Sequence, residues 1–290
     1  NQSKIRRDTM NTISVYKSPA GKAKIMALYD SVLERWPVTH ETFMLPTRQG
    51  DTFVIASGEK SAPALMLLHG SASNAVSWIG DIVEYSRHFR VYAVDLPGEP
   101  GKSTENRPAW VGSDYAVWLE DVLDGLNITK TSLLGISQGG WTALKFATIY
   151  PQRVNKLVLL ASGGILPARS SFILKAVIYS MFGHWGSQKI IQMVNGKQPM
   201  HPEAIEFMEA IYTHFNTRVE KEYLYSDDEL IRLNMPVMYI GGEQDALFDT
   251  AAAAKRLQKL VPLLKVVLIP NMGHALINLS AETLPFLTAS

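Results

Sequence analysis

Six dense apolar runs, with helical patterns between most of them, constrain the fold of this chain more than any other feature. They lie at 64–68, 89–94, 131–136, 155–161, 236–240 and 264–269 and carry strings such as ALMLL, VYAVD, SLLGI, LVLLA, VMYI and VVLIP. Short runs that are apolar at nearly every position suit strands buried on both faces of a parallel sheet. Helical spacing of apolar residues marks 75–88, 113–126, 138–149, 250–261 and 275–288. Strands alternating with helices predict a doubly wound α/β fold, a mostly parallel sheet with helices on both faces. Two further runs, 42–46 and 52–56, flank a short turn at Gly50-Asp51. They predict an antiparallel hairpin at the start of an eight-stranded sheet.

The 290 residues suffice for one such domain carrying an insertion. Residues 1–35 read as an N-terminal arm, flexible over 1–20, followed by an amphipathic helix with Ile25, Leu28, Tyr29, Val32 and Leu33 on one face. Residues 36–161 and 236–290 form the core. Residues 162–235 break the alternation, and read as a helical cap leaving the carboxyl edge of the sheet. The cap is rich in large soft side chains, including Phe172, Tyr179, Met193, Phe207 and Phe215. Most are expected to form a small core of its own. A minority is expected to line a pocket, with Met181, Phe182 and Trp185 as candidates.

Charge excludes several functions. With 28 basic and 27 acidic side chains the net charge is +1, which gives no overall attraction to nucleic acid or to an anionic membrane. The chain has no cysteine, so disulfides, a thiolate nucleophile and a cysteine zinc site are excluded. That absence fits a reducing compartment, and a cytoplasmic location is expected. No apolar run approaches the roughly 18 residues that span a bilayer, and no secretory signal is visible. No metal-binding spacing such as H-E-x-x-H occurs, so neither a metal nor an organic cofactor is expected. Nothing in the sequence sets the oligomeric state.

Four loops after strands carry the chemistry. Gly135-Ile136-Ser137-Gln138-Gly139 joins an apolar run to a helix. In that context G-x-S-x-G describes a nucleophile elbow, with glycine required two residues either side of a strained serine. The elbow would place the Gln138 N–H at a helix N-terminus, facing an oxyanion. The segment His69-Gly70-Ser71-Ala72-Ser73 follows another buried run, and the Ser71 N–H is the expected second oxyanion donor. His69 and Ser73 are weak pocket candidates, with a structural hydrogen-bonding role the better expectation for His69. Gly241-Gly242-Glu243-Gln244-Asp245 offers Asp245 as an acid, with Glu243 and Asp249 as competitors; Asp249 could instead cap the following helix. Gly273-His274 follows the last run. Of seven histidines, only His274 follows a strand, has a preceding glycine, and lies C-terminal to both serine and acid. The order Ser137, Asp245, His274 is that of a strand-edge triad in which histidine takes the serine proton and the carboxylate fixes the imidazole.

Apart from the arm and the cap, the chain resembles the α/β-hydrolase fold family. The stretch Asp95-Leu96-Pro97-Gly98-Glu99-Pro100-Gly101-Lys102-Ser103 is similar to its D-x-P-G-x-G-x-S loop, with a Glu-Pro pair where the usual form has one residue. The closing Gly-Lys-Ser imitates a phosphate loop. Leu96 stands where that loop needs glycine, however, and Pro100 lacks an N–H, so nucleotide binding is not expected. Trp36-Pro37-Val38, Ile55-Ala56-Ser57-Gly58, Tyr92-Ala93-Val94-Asp95, the GISQGG elbow and Ser226-Asp227-Asp228-Glu229-Leu230 resemble the carboxylesterase NP (naproxen esterase) branch. The resemblance implies a carboxylic ester hydrolase acting on a small-molecule ester. The fold and triad leave open a carbon–carbon bond hydrolase, lactonase, thioesterase or perhydrolase, and a ligand receptor with slow turnover.

Overall fold

The computed structural model describes residues 14–289. Most of the arm expected over 1–20 lies outside them. The part inside is not free: Val15 and Tyr16 are buried, Tyr16 bridges Phe215, and the Asn216 N–H donates to the Val15 carbonyl. Ser18 then caps the helix α1 (Pro19–Glu34) by accepting from the Gly21 N–H, satisfying one donor that the helix itself leaves unpaired.

Eight strands form one sheet: β1 (His40–Leu45), β2 (Thr52–Ser57), β3 (Ala64–Leu68), β4 (Arg90–Val94), β5 (Thr131–Ile136), β6 (Val154–Leu160), β7 (Val237–Gly242) and β8 (Leu264–Ile269), in the order β1-β2-β4-β3-β5-β6-β7-β8. β2 runs antiparallel to both β1 and β4, and every other pairing is parallel. The initial hairpin turns at Gly50, whose φ of +114° suits only glycine.

Each central strand sends alternate residues to two cores. Met66, Leu68, Leu133, Leu157 and Tyr239 face α3 (Asp114–Gly125), α4 (Gln138–Ile149) and α9 (Thr250–Leu260). Leu65, Leu67, Leu134, Val158 and Met238 face α1, the short α2 (Ile82–Ser86) and α10 (Ser280–Thr288). Burial on both sides accounts for the unbroken apolar runs, each Leu or Val contributing about 1.5–3 kcal/mol. The run at 264–269 differs: β8 is an edge strand whose residues are all half-buried or exposed.

Two expected helices are shortened. The pattern at 75–88 forms a 3-10 stretch, Ala75–Gly80, followed by α2. Between them the buried Asp81 accepts from the N–H groups of Asn278 and Ser280. The same contacts hold residues 275–279 out of α10, which begins only at Ser280. Between β6 and β7 lie α5 (Ser170–Ser180), α6 (Gly183–Asn195), α7 (Pro202–His214) and the single-turn α8 (Asp227–Leu230). The private core expected there forms only in part: Ile191 of α6 is buried outside both sheet-facing clusters, and Trp185 packs on Tyr179 and Phe182. Phe207 and Phe215 are buried in the main body's own cluster, and α5 buries no residue at all. Among the described residues no helix is long and apolar enough to cross a membrane.

Candidate active site

The turn from β5 into α4 puts Ser137 at φ +52°, ψ −113°, a region that side chains avoid unless their surroundings hold them there. Three bonds do so: the Ser137 N–H donates to Leu160 O, and its carbonyl accepts from Gly163 and Trp141. The flanking glycines are forced by close approach. A Cβ on Gly135 would lie 2.3 Å from Gly139 O, and one on Gly139 would lie 2.0 Å from Leu68 O. The second contact is to the end of β3, so the elbow is locked onto its neighbouring strand.

Ser137 Oγ lies 3.0 Å from His274 Nε2, and His274 Nδ1 lies 2.8 Å from Asp245 Oδ2. A carboxylate only accepts, so Nδ1 carries the proton and Nε2 faces the hydroxyl as an acceptor. Asp245 and His274 are buried. Asp245 Oδ1 accepts from the N–H groups of Leu247 at 2.7 Å and Phe248 at 3.0 Å, which fixes the carboxylate. The Phe248 ring packs beside the imidazole. The competitors stand elsewhere: Asp249 caps α9 through the Ala252 N–H, and Glu243 is exposed.

The β3 loop reaches the same place. A Cβ on Gly70 would be 3.5 Å from Ser137 Cβ. Among the described residues no acceptor takes the N–H of Ser71 or of Gln138, leaving both open to an anion at the α4 N-terminus. His69 is not a pocket residue. It is fully buried, its Nε2 accepts from the Leu96 N–H, and its Nδ1 donates to Gly70 O. Burial pushes its pKa down to about 4, so it stays neutral as a brace between two loops. Ser73 is half-buried. Met181, Phe182 and Trp185 are exposed at the α5–α6 corner, where the Trp185 ring packs edge-on with those of Phe182 and Tyr179.

Sequence reasoning treated Glu99 only as an irregular residue in a familiar loop. It is buried, and its Oε2 accepts from the Ala72 N–H at 2.7 Å. Ala72 has φ +51° and directly follows Ser71. The Gln138 side chain faces the same carboxylate, though its Nε2 stops short of a well-formed hydrogen bond. Glu99 therefore contacts the residue after Ser71 and faces the side chain of Gln138. Burial pushes its pKa up to about 7, against the pull of the Ala72 N–H and Arg107. Another carboxyl, the half-buried Glu222, accepts from the Gly164 N–H and is likewise pushed up to about 7 by desolvation. The one local signal for Glu99 was the extra residue between Gly98 and Gly101.

The histidine loop is tied to the insertion. The N–H groups of His274 and Ala275 both donate to Val194 O on α6. Gly273 lies against Asn195 and Gly196 so closely that its Cβ would meet Asn195 backbone at 3.0 Å. No motif could reveal this contact, because it joins segments about 80 residues apart.

Residues 63–192 match the family model described as alpha/beta hydrolase fold. The carboxylesterase YbfK of Bacillus subtilis is 31% identical over 260 residues, covering 86% of each chain. An uncharacterized carboxylesterase of the same strain, nap, is 32% identical over 257 residues, covering 86% of this chain and 85% of that one. The crystal structure of naproxen esterase (carboxylesterase NP) from Bacillus subtilis superposes with a TM-score of 0.86 at 28% identity, over 94% of this chain and all of that one (100%). Sheet order, elbow and similarity along the chain's length agree: the chain belongs to the α/β-hydrolase fold family.

Proposed function

We propose that this protein hydrolyses carboxylic esters of small to medium, fairly apolar acids and alcohols, through an acyl-enzyme on Ser137. The observation that carries the proposal is the continuous relay from Ser137 Oγ to His274 Nε2, and from His274 Nδ1 to Asp245 Oδ2, at 3.0 and 2.8 Å. Ser137 Oγ attacks the ester carbonyl as His274 Nε2 takes its proton. The carbonyl oxygen becomes an oxyanion, held by the N–H groups of Ser71 and Gln138. Collapse breaks the bond to the alcohol, which leaves with the proton from His274. Water then attacks the acyl carbon, again giving its proton to His274. The acid departs and the proton returns to Ser137. Asp245 stays ionised, holds the tautomer and stabilises the imidazolium. Residues 162–235 serve as the cap that shapes access.

The names of the relatives YbfK and nap support ester chemistry over the other reactions open to this triad. The test is a panel of p-nitrophenyl esters of increasing acyl length, with Ser137→Ala as control. Turnover that falls by about 10⁴-fold or more in the variant is expected. A folded wild type that hydrolyses none of the panel would sink the proposal.

A further inference from the structure

The outward side of α5 is the apolar one. Ile173, Leu174, Val177, Ile178 and Met181 recur at the spacing of a single helical stripe, and each exposes between 44% and 78% of its surface. Phe172, Ala176 and Tyr179 are only half-buried on the opposite side. Phe182 and Trp185 extend the stripe into α6. An ordinary surface helix turns its apolar stripe inward, so this face is built for something other than the protein's own core.

Charge indicates what covers it. From Gly163 to Pro202 there is no Asp or Glu, whereas Arg169, Lys175, Lys189 and Lys197 are basic. Arg169 has Asp249 at 3.5 Å, but among the described residues the three lysines pair with no carboxylate. The next acids lie on α7: Glu203 pairs with Arg35, Glu209 faces His184, and Glu206 is exposed. α6 stands between α5 and α7 and packs on both. Apolar and aromatic side chains with Lys175 on the same helix and Lys189 over the Trp185 ring, neither paired with a carboxylate, suit an anionic lipid–water interface. A second copy fits less well, because a two-fold contact over this stripe would bring lysines towards lysines.

We propose that the α5–α6 face docks this protein onto anionic phospholipid surfaces. The protein supplies its own probe. Of six tryptophans, Trp185 is 52% exposed and the other five are at most 8% exposed. A change in tryptophan emission on docking therefore reports Trp185. Wild-type protein is mixed with vesicles of equal phosphatidylglycerol and phosphatidylcholine, and with phosphatidylcholine alone, in about 0.1 M salt, where charges are felt over about 10 Å. Expected are a blue-shifted emission and co-sedimentation with the anionic vesicles. Lys175→Glu should weaken binding at least about fivefold. Leu174→Gln with Val177→Gln should weaken it while circular dichroism stays unchanged. No shift and no pelleting with anionic vesicles would overturn the proposal. So would binding that both variants leave intact, or a dimer in sedimentation velocity that both glutamine substitutions abolish. No ester turnover enters these readings, so their failure leaves the reaction at Ser137 untouched.

Discussion

The carboxyl edge of the sheet and the outer face of α5 are opposite kinds of structure within one chain. At the sheet edge almost every group is held by several others. Ser137 keeps a strained backbone through three hydrogen bonds, and Asp245 is fixed by two N–H groups besides the histidine. On α5 no residue is buried, and Ile173, Leu174, Val177 and Ile178 are exposed. Strain at the edge is tolerable because the surroundings over-determine it. Exposure on α5 persists because nothing in the fold competes for that face. The candidate active site thus lies where the fold is rigid, and the proposed docking face where the fold leaves surface unclaimed.

Gly139→Ala tests the rigid side most severely. Its new Cβ would lie 2.0 Å from Leu68 O and 2.5 Å from His69 O, both backbone atoms that cannot swing aside. A stability loss of about 3–5 kcal/mol is expected, read by chemical denaturation. A loss under about 1 kcal/mol would mean that the elbow and β3 can separate, and the contrast with α5 would fail.

The same contrast governs what could be read from the sequence. Strand ends are local: Ser137, Asp245 and His274 each sit in a short loop just after an apolar run, so pattern and chain order located them together. Runs apolar at nearly every position likewise follow from strands buried on both faces, which made the sheet legible. Glu99 was not legible, because its partner Ala72 comes from another loop and only folding brings them together. Nor was the clamp of Val194 on the histidine loop. The soft residues of 162–235 were placed only in part, for a related reason. Periodicity shows that a helix has an apolar stripe and does not show which way the stripe faces. The net charge of +1 also concealed a stretch from 163 to 202 that holds lysine and arginine but no Asp or Glu.

Glu99 sharpens the comparison through pH. Its folded pKa of about 7 lies above the ordinary 4.5, because burial disfavours the carboxylate. Between those values the folded protein binds more protons than the unfolded chain, so this group's contribution to stability is full at low pH and is lost as pH rises through 7. His69 works in the other direction. Held near 4 by burial, it favours the folded state above its ordinary 6.5, and that contribution is lost as pH falls towards 4. Glu99→Gln should remove the first trend and leave the second. The variant should gain on the order of 1–3 kcal/mol relative to wild type between pH 5 and 8, measured by urea denaturation. An unchanged difference across that range would show that the Glu99 carboxyl does not titrate where it sits.

Leu174→Gln probes the unclaimed side, with the smallest expected effect. Leucine and glutamine have nearly equal helix propensity, so the helix itself should not notice the change. Leu174 is 63% exposed, and little apolar area is returned to water by replacing it. The expected change in unfolding free energy is within about 0.5 kcal/mol, a shift of no more than about 2 °C in Tm. A loss above about 1 kcal/mol would place Leu174 in a packed interior and make α5 as constrained as the sheet edge. A null result in stability combined with lost vesicle binding separates the two regions cleanly. One would then hold the fold and the reaction, while the other is spent on the surface the protein meets.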